Sequence, residues 1–275
     1  MILLLILLIP VAAAAVAYVL PSDRIRPWIL PVASTGQLAA VIQAIRGGPV
    51  ATADGWLNLD PLGIPILLCV SVLFLCLSLY APGYLRLRRN RPNRIFCTCL
   101  LLQMGMMSLV VFAHHLGLMW VAIEATTLVS SPSLYFNQTP RSLEAAWKYL
   151  LICSVGIALA LLGSFFLAYS ALKGGLHSTL LFDDLISNAG SLSKPWLHAA
   201  FVTLLVGYGT KMGLAPMHTW KPDAYGEAPG IVGALLAGGL TNCGFIAILR
   251  FQMITQAAGD AAFVSRTLIG MGLLS

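Results

Sequence analysis

The sequence predicts an all-α fold. It is a polytopic transmembrane helical bundle of about eight complete spans plus a truncated ninth, with a broken seventh helix. Three observations predict it. Apolar residues make up 59% of the 275-residue chain and charged residues only 9%, against about 25% charged in a soluble domain. The apolar residues fall into successive runs of roughly twenty, the length a helix needs to cross a bilayer. Finally, Lys211–Pro229 reads KMGLAPMHTWKPDAYGEAP, where a lysine at bilayer depth meets a break at Pro216. Intramembrane charges cost roughly 2.5–3.5 kcal/mol on insertion scales. Non-helical backbone at that depth survives only where protein or water covers it. The two features together mark a transport pathway.

The runs follow in order. Met1–Leu20 is apolar throughout. Ala12–Ala15 could imitate a cleavage site, but no basic residue precedes the run, so it reads as an uncleaved first span. A weaker second span covers about Ile25–Ile45, with Pro27, Pro31, Gln37 and Gln43. The third, about Pro61–Tyr80, is strong. A basic loop follows with Arg86, Arg88, Arg89, Arg91 and Arg94, by default a solvated, lipid-facing cluster. The fourth span covers about Ile95–Ala113 and is closed by His114–His115, which read as interfacial. The fifth, about Gly117–Tyr135, contains Glu124. The sixth, about Ala146–Leu172, has Lys148 near its start. A polar linker, Lys173–Lys194, leads to the seventh, about Trp196–Ala215, which then breaks. The eighth covers about Ile231–Phe251, and a ninth starts near Ser265 and is cut off by the end of the chain.

Three segments result: 1–94 with spans one to three and the basic loop, 95–251 with spans four to eight, and 252–275 with the last loop and ninth span. The net charge of +6 reports arginines in cytoplasmic loops and says nothing of nucleic acid. Five arginines place the loop between spans three and four in the cytoplasm. Arg24, Arg26, Arg141 and Lys148 agree, so the N-terminus lies outside. Arg250 falls on the other side as a mild exception. The six cysteines lie in or beside apolar runs without zinc-type spacing and read as small apolar filler. No GxxxxGK[ST], GxGxxG or HExxH motif is present. Nothing therefore calls for a cofactor, a metal or a covalent or redox catalyst.

The candidate residues are charges where a bilayer should exclude them. Glu124 sits mid-span, where desolvation raises a carboxylate pKa and a nearby ammonium lowers it. The plainer alternative is a structural helix–helix ion pair, although small and hydroxyl residues pack membrane helices more cheaply. Lys211 lies about fifteen residues from the outer end of its span, roughly 22 Å, too deep to snorkel there. It is either a buried lysine whose pKa can be tuned or one that snorkels to the cytoplasmic interface. Lys148 is four residues from Glu144, a spacing that serves an ordinary surface pair as well as a functional role. His218 at the break relays protons or caps carbonyls. Asn242, mid-span in GGLTNCG, binds water in a proton path or bonds a neighbouring helix.

The segment GYGTKMGLAPMHTWKPDAYGEAPGIVGALLAGGLTNCGFIAILR resembles the signature region of the antiporter-like proton-translocating membrane subunits. These belong to the membrane arm of respiratory complex I, to group 4 [NiFe] hydrogenases and to Mrp cation/proton antiporters. The wording is nearest the hydrogenase-associated branch, and the resemblance covers about Ile95–Phe251. It implies that Glu124 and Lys211 form a central switchable ion pair, that Lys148 matches the lysine at the start of span six, and that the segment around Pro216 matches the broken helix. Many members carry a lysine or histidine on span eight, where this chain has Gly238, Gly239 and Asn242. Lys221 replaces the usual apolar residue. Members run to about fourteen spans, so this chain reads as a truncated or shortened form.

The resemblance implies a proton-translocating, non-redox subunit of an oxidoreductase complex of hydrogenase or NADH:quinone oxidoreductase type. Other membrane subunits, a peripheral redox arm and the lipid bilayer would be its partners, in a bacterial cell inner membrane. The alternatives are a cation/proton antiporter subunit of the Mrp type, moving sodium as well as protons, and a non-conducting scaffold.

Overall fold

Apolar runs become helices here because only a helix satisfies every backbone group without water. The computed structural model describes residues 1–48, 50–52, 54–176 and 180–275. Helix α1 is Ile2–Val19. A 3₁₀ turn, Arg26–Trp28, leads into α2, Ile29–Arg46. A short antiparallel pairing, Val50–Ala51 with Asn58–Leu59, precedes α3, Gly63–Leu87. Then come α4, Arg94–Phe112, and α5, Leu116–Leu134. The longest helix is α6, Pro140–Lys173, of 34 residues. It starts where Thr139 and Ser142 exchange side-chain-to-backbone bonds of 3.0 Å, with Pro140 pre-set for the first turn.

The polar linker holds a short helix, α7, Phe182–Ser187. Helix α8 is Lys194–Met212 and α9 is Trp220–Glu227. Helix α10, Gly230–Leu235, passes through a π-helical turn at Leu236–Leu240 into α11, Thr241–Ala257. The last helix, α12, Ala261–Leu274, begins before the expected Ser265.

By length and composition six helical segments could cross a membrane: Ile2–Val19, Arg26–Arg46, Gly63–Leu87, Arg94–Phe112, Pro140–Lys173 and Gly230–Ala257. The sequence led us to expect eight. The two others, α5 and α8, have the length, 19 residues each, but are more polar. They carry Glu124 and Lys211. They are screened by neighbours, α5 by α4 and α6, and α8 by α6 and α11.

Hydrogen bonds sort the connections into two ends. At one end Arg88 donates to Asn137 at 2.9 Å, Asn137 donates to the Glu227 carbonyl at 3.0 Å, and Asn93 donates to the Asp23 carbonyl at 2.8 Å. At the other, His114 N donates to Trp56 O, Leu116 N to Leu180 O and Phe182 N to His114 O, each at 2.9 Å. Successive long helices thus run in alternating directions. All five arginines of the basic loop lie at the first end.

Two arginines depart from the loop reading. Arg26 is buried and gives its Nε to the Ala17 carbonyl at 2.8 Å, with further bonds to Leu20 O, Asp23 and Asn93. Arg250, the apparent charge exception, is also buried. It donates to Ala113 O at 2.7 Å and Val111 O at 2.6 Å and meets Asp60 at 3.3 Å. Each closes the carbonyl end of a helix, α1 or α4, whose last C=O groups lack intrahelical partners. His114 is buried beside Arg250, with Asp60 3.6 Å away, whereas His115 stacks on Trp56 at 4.1 Å.

The closest helix pair is α6 with α8. A Cβ on Gly207 would stand 2.6 Å from Ala160 N, and one on Gly156 would stand 2.6 Å from Thr210 Cβ. Small residues let membrane helices approach this far, and packing then supplies the association energy.

Gly207→Ala should therefore push α8 off α6 and lower stability by about 1–3 kcal/mol. Gly83→Ala, where nothing lies within 4 Å, should change little; unfolding in detergent measures both. Burial, helped by the Arg250 guanidinium and opposed by Asp60, holds the His114 pKa below its ordinary 6.5. The unfolded chain then takes up the proton first, so stability should fall as pH drops below about 6.5 and stay level above it. His114→Gln should remove that part of the pH dependence in melts at pH 7.5 and 5.5.

Candidate functional site

Lys211 lies in the last turn of α8 and is fully buried. A cation there meets the negative end of the helix dipole. Its Nζ donates to Thr127 Oγ1 on α5. Thr127 Oγ1 lies 3.3 Å from Glu124 Oε2, one turn earlier on α5, and Ser154 on α6 donates to Glu124 Oε1 at 3.1 Å. The Lys211 ammonium stands 5.5 Å from the centre of the Tyr149 ring, also on α6. Tyr149 shares a 2.7 Å hydrogen bond with Ser130 and packs 5.1 Å from Trp220 of α9. Three helices, α5, α6 and α8, converge on one ammonium.

The expected direct ion pair is absent among the described residues. Their ion pairs involve Arg26, Lys148, Lys194, Arg250, His114 and His198, and neither Lys211 nor Glu124 takes part. A threonine hydroxyl stands between acid and amine. Glu124 is only partly buried, whereas Lys211 is sealed.

The other candidates lie outside this hydrogen-bonded chain. Lys148 pairs with Glu144 at 2.7 Å and with Asp223 of α9 at 2.8 Å, and its side chain is 45% exposed. The i,i+4 pair exists, and the second carboxylate turns it into a strap from α6 to α9. His218 is exposed on the turn before α9, where its carbonyl accepts Lys221 N at 2.9 Å. Among the described residues, Asn242 shows no bond to a neighbouring helix or to Lys211. It donates at 2.6 Å to Gly238 O in the π-helical turn of its own helix.

The helix break starts at Gly213, three residues before the expected Pro216. Gly213 has φ +78°, a left-handed conformation that glycine adopts freely and that commonly ends helices. Its N–H and that of Leu214 turn back to Gly209 O at 2.7 and 2.8 Å. Two side chains from α9 take further carbonyls: Trp220 Nε1 reaches Thr210 O at 2.9 Å and Lys221 Nζ reaches Met212 O at 2.6 Å. So Lys221, the departure from the usual apolar residue, caps the helix that carries Lys211.

Of the added residues, Thr127 was legible from its i,i+3 spacing to Glu124. Ser154 and Tyr149 carried no such signal. They are ordinary span residues until α6 lies against α5 and α8.

The family described as NADH:quinone oxidoreductase/Mrp antiporter, transmembrane, matches residues 113–275. The chain belongs to this antiporter family. All five candidate residues fall within the matched stretch. Over 172 residues the chain is 41% identical to a hydrogenase-4 component F homolog of Methylacidiphilum infernorum, covering 62% of this chain and 36% of that protein. It is 32% identical over 238 residues to F(420)H(2) dehydrogenase subunit N of Methanosarcina mazei, covering 82% of this chain and 47% of that one. The chain thus spans half or less of the length of these antiporter-family relatives. Its fold matches a chain of an archaeal membrane-bound sulfane sulfur reductase with TM-score 0.85 at 20% identity, covering 98% of this chain and 56% of the other. The chain is therefore an integral membrane subunit of the antiporter family.

Thr127→Val keeps the shape and removes the hydroxyl that accepts from Lys211. It should cost about 1.5–3 kcal/mol, the range for a hydrogen bond to a charged group, and Thr127→Ser should recover most of it. In the double variant Thr127→Val/Lys211→Met the loss should shrink, because no ammonium is left unsatisfied. A double-mutant cycle of unfolding free energies in detergent measures the coupling.

Proposed function

We propose that the chain is a proton-translocating subunit of a respiratory or hydrogenase-type oxidoreductase complex. The observation that carries this reading is the hydrogen-bonded path from Lys211 through Thr127 to Glu124. In its charged form the amine donates to the threonine oxygen while the carboxylate accepts the threonine proton. If the Lys211 proton moves to Thr127 as the Thr127 proton moves to Glu124, one proton has crossed the path. A neutral amine and a neutral acid remain. Both charged and neutral forms fit a buried site, because burial disfavours the isolated charges and their mutual attraction restores them. The small balance between two large terms makes the path switchable.

The path needs an outside drive. We assign it to other membrane subunits and a peripheral redox arm, as the names of the relatives suggest. The arginine-rich end would face the cytoplasm, with the N-terminus outside, in a bacterial inner membrane. Lys148, held at the surface by two carboxylates, would serve as the proton's approach from the α9 side. His218, exposed on the adjoining turn, would exchange protons with water there. Asn242 holds the π-helical turn beyond the lysine.

The test is proton uptake by proteoliposomes holding the intact complex. Lys211→Met and Glu124→Gln should each lower turnover-linked proton movement at least tenfold, with assembly unchanged. Unaltered movement in Lys211→Met would remove the mechanism. A requirement for sodium would select cation/proton exchange. Unaltered movement in both variants, with the complex intact, would leave a scaffold.

A further inference from the structure

The five arginines of the basic loop play no part in the path to Glu124. Three of them have protein partners. Arg88 donates to Asn137 and lies over Tyr84, Arg91 donates to Gln138, and Arg94 lies over Tyr18. Arg86 and Arg89 line a cleft of about 530 Å³ with Arg24, from the connection between α1 and α2. Arg24, Arg86 and Arg89 are exposed, and none of them has an ion pair among the described residues. The carboxylate in the lining, Asp23, is held by Arg26. The cleft therefore carries uncompensated positive charge.

Its other wall is apolar. Trp28 and Leu79 are 62% and 64% exposed and face the same space, along with Pro27 and Pro82. Leu79 and Arg86 are two turns apart on α3, roughly 10 Å along the helix. Charge at the end of a helix, apolar surface two turns deeper and a tryptophan at the boundary are the order of a membrane interface. A free phosphate would use the guanidinium groups and leave the apolar wall wet. A phospholipid uses both.

We propose that this cleft binds the headgroup of an anionic phospholipid, with the phosphate held by Arg24, Arg86 and Arg89 and an acyl chain lying on Leu79 and Trp28. Basic pockets between membrane helices hold anionic headgroups in this way, and each arginine near the surface contributes about a fivefold preference. The lipid would fill the gap between the 3₁₀ turn at Arg26–Trp28 and the end of α3.

The experiment titrates the full chain in detergent with phosphatidylglycerol or with phosphatidylcholine of the same acyl chains, and reads bound lipid by native mass spectrometry. The glycerol lipid should bind more tightly. Arg86→Gln/Arg89→Gln should weaken it by about 25-fold and leave the choline lipid unchanged. Arg46→Gln, exposed at the other end of α2, should alter neither. Equal binding of the two lipids, or phosphatidylglycerol binding that survives the double substitution, would overturn the proposal. So would displacement by inorganic phosphate at equal concentration, which would identify a plain phosphate site. Loss of a neighbouring subunit from the complex of the double variant, with lipid binding unchanged, would assign the cleft to protein.

Discussion

One ammonium buried without a carboxylate in direct contact is the constraint that organises this structure. A charge moved from water into the interior loses several kcal/mol even after relaxation. Each thing around Lys211 reduces that loss. The helix ends at the lysine, so its charge meets the negative end of the dipole. Thr127 accepts from it, and the Tyr149 ring offers its face. The helix can end there only because Gly213 takes a left-handed conformation and Trp220 and Lys221 take the freed carbonyls. The threonine can reach the lysine only because α8 packs hard on α6, through Gly156 and Gly207, and α6 in turn lies on α5.

The buried cations divide by chemistry. Arg26 and Arg250 keep their charge under all conditions and present a rigid fork of donors. Each is spent on helix carbonyls and one carboxylate, Asp23 or Asp60, an arrangement with a single protonation state. Lys211 sits among groups that each offer at most a weak or shared bond. Lysine is the residue whose proton affinity shifts readily on burial. Arginines therefore fasten the two ends of the bundle, and lysine occupies the place where the charge must be able to change.

The helical bundle was legible because hydropathy and length decide it. All eight expected full runs correspond to long helical segments near their expected positions. The second acquired a 3₁₀ entry at Pro27, which lacks an N–H to give. Glu124 and Lys211 were legible as misplaced charges. Their contact was not, because a hydroxyl between them leaves no mark beyond one i,i+3 spacing. The sequence puts the break at Pro216, but the left-handed glycine three residues earlier ends the helix first. In the sequence Arg250 is only a mild exception to the charge rule, since spacing cannot show that α4 brings its open carbonyls to it. The bond from Asn242 to a carbonyl of its own π-helical turn left no mark in the sequence.

The two ends of the Lys211–Glu124 path are unequal, and the inequality gives the path a direction of access. Lys211 is closed off by α5, α6 and α8, so a proton reaches it only through its neighbours. Glu124 is partly exposed on a helix too polar to face lipid comfortably. A carboxylate open to hydrocarbon would be expensive, and Ser154 and Thr127 supply hydrogen bonds to only part of it. Under the proposed function, whatever covers Glu124 outside this chain sets how easily it takes the proton. A shift of charge there would change the attraction felt by Lys211 across a single threonine. The acid is thus the point at which a neighbour can act on a lysine it never touches.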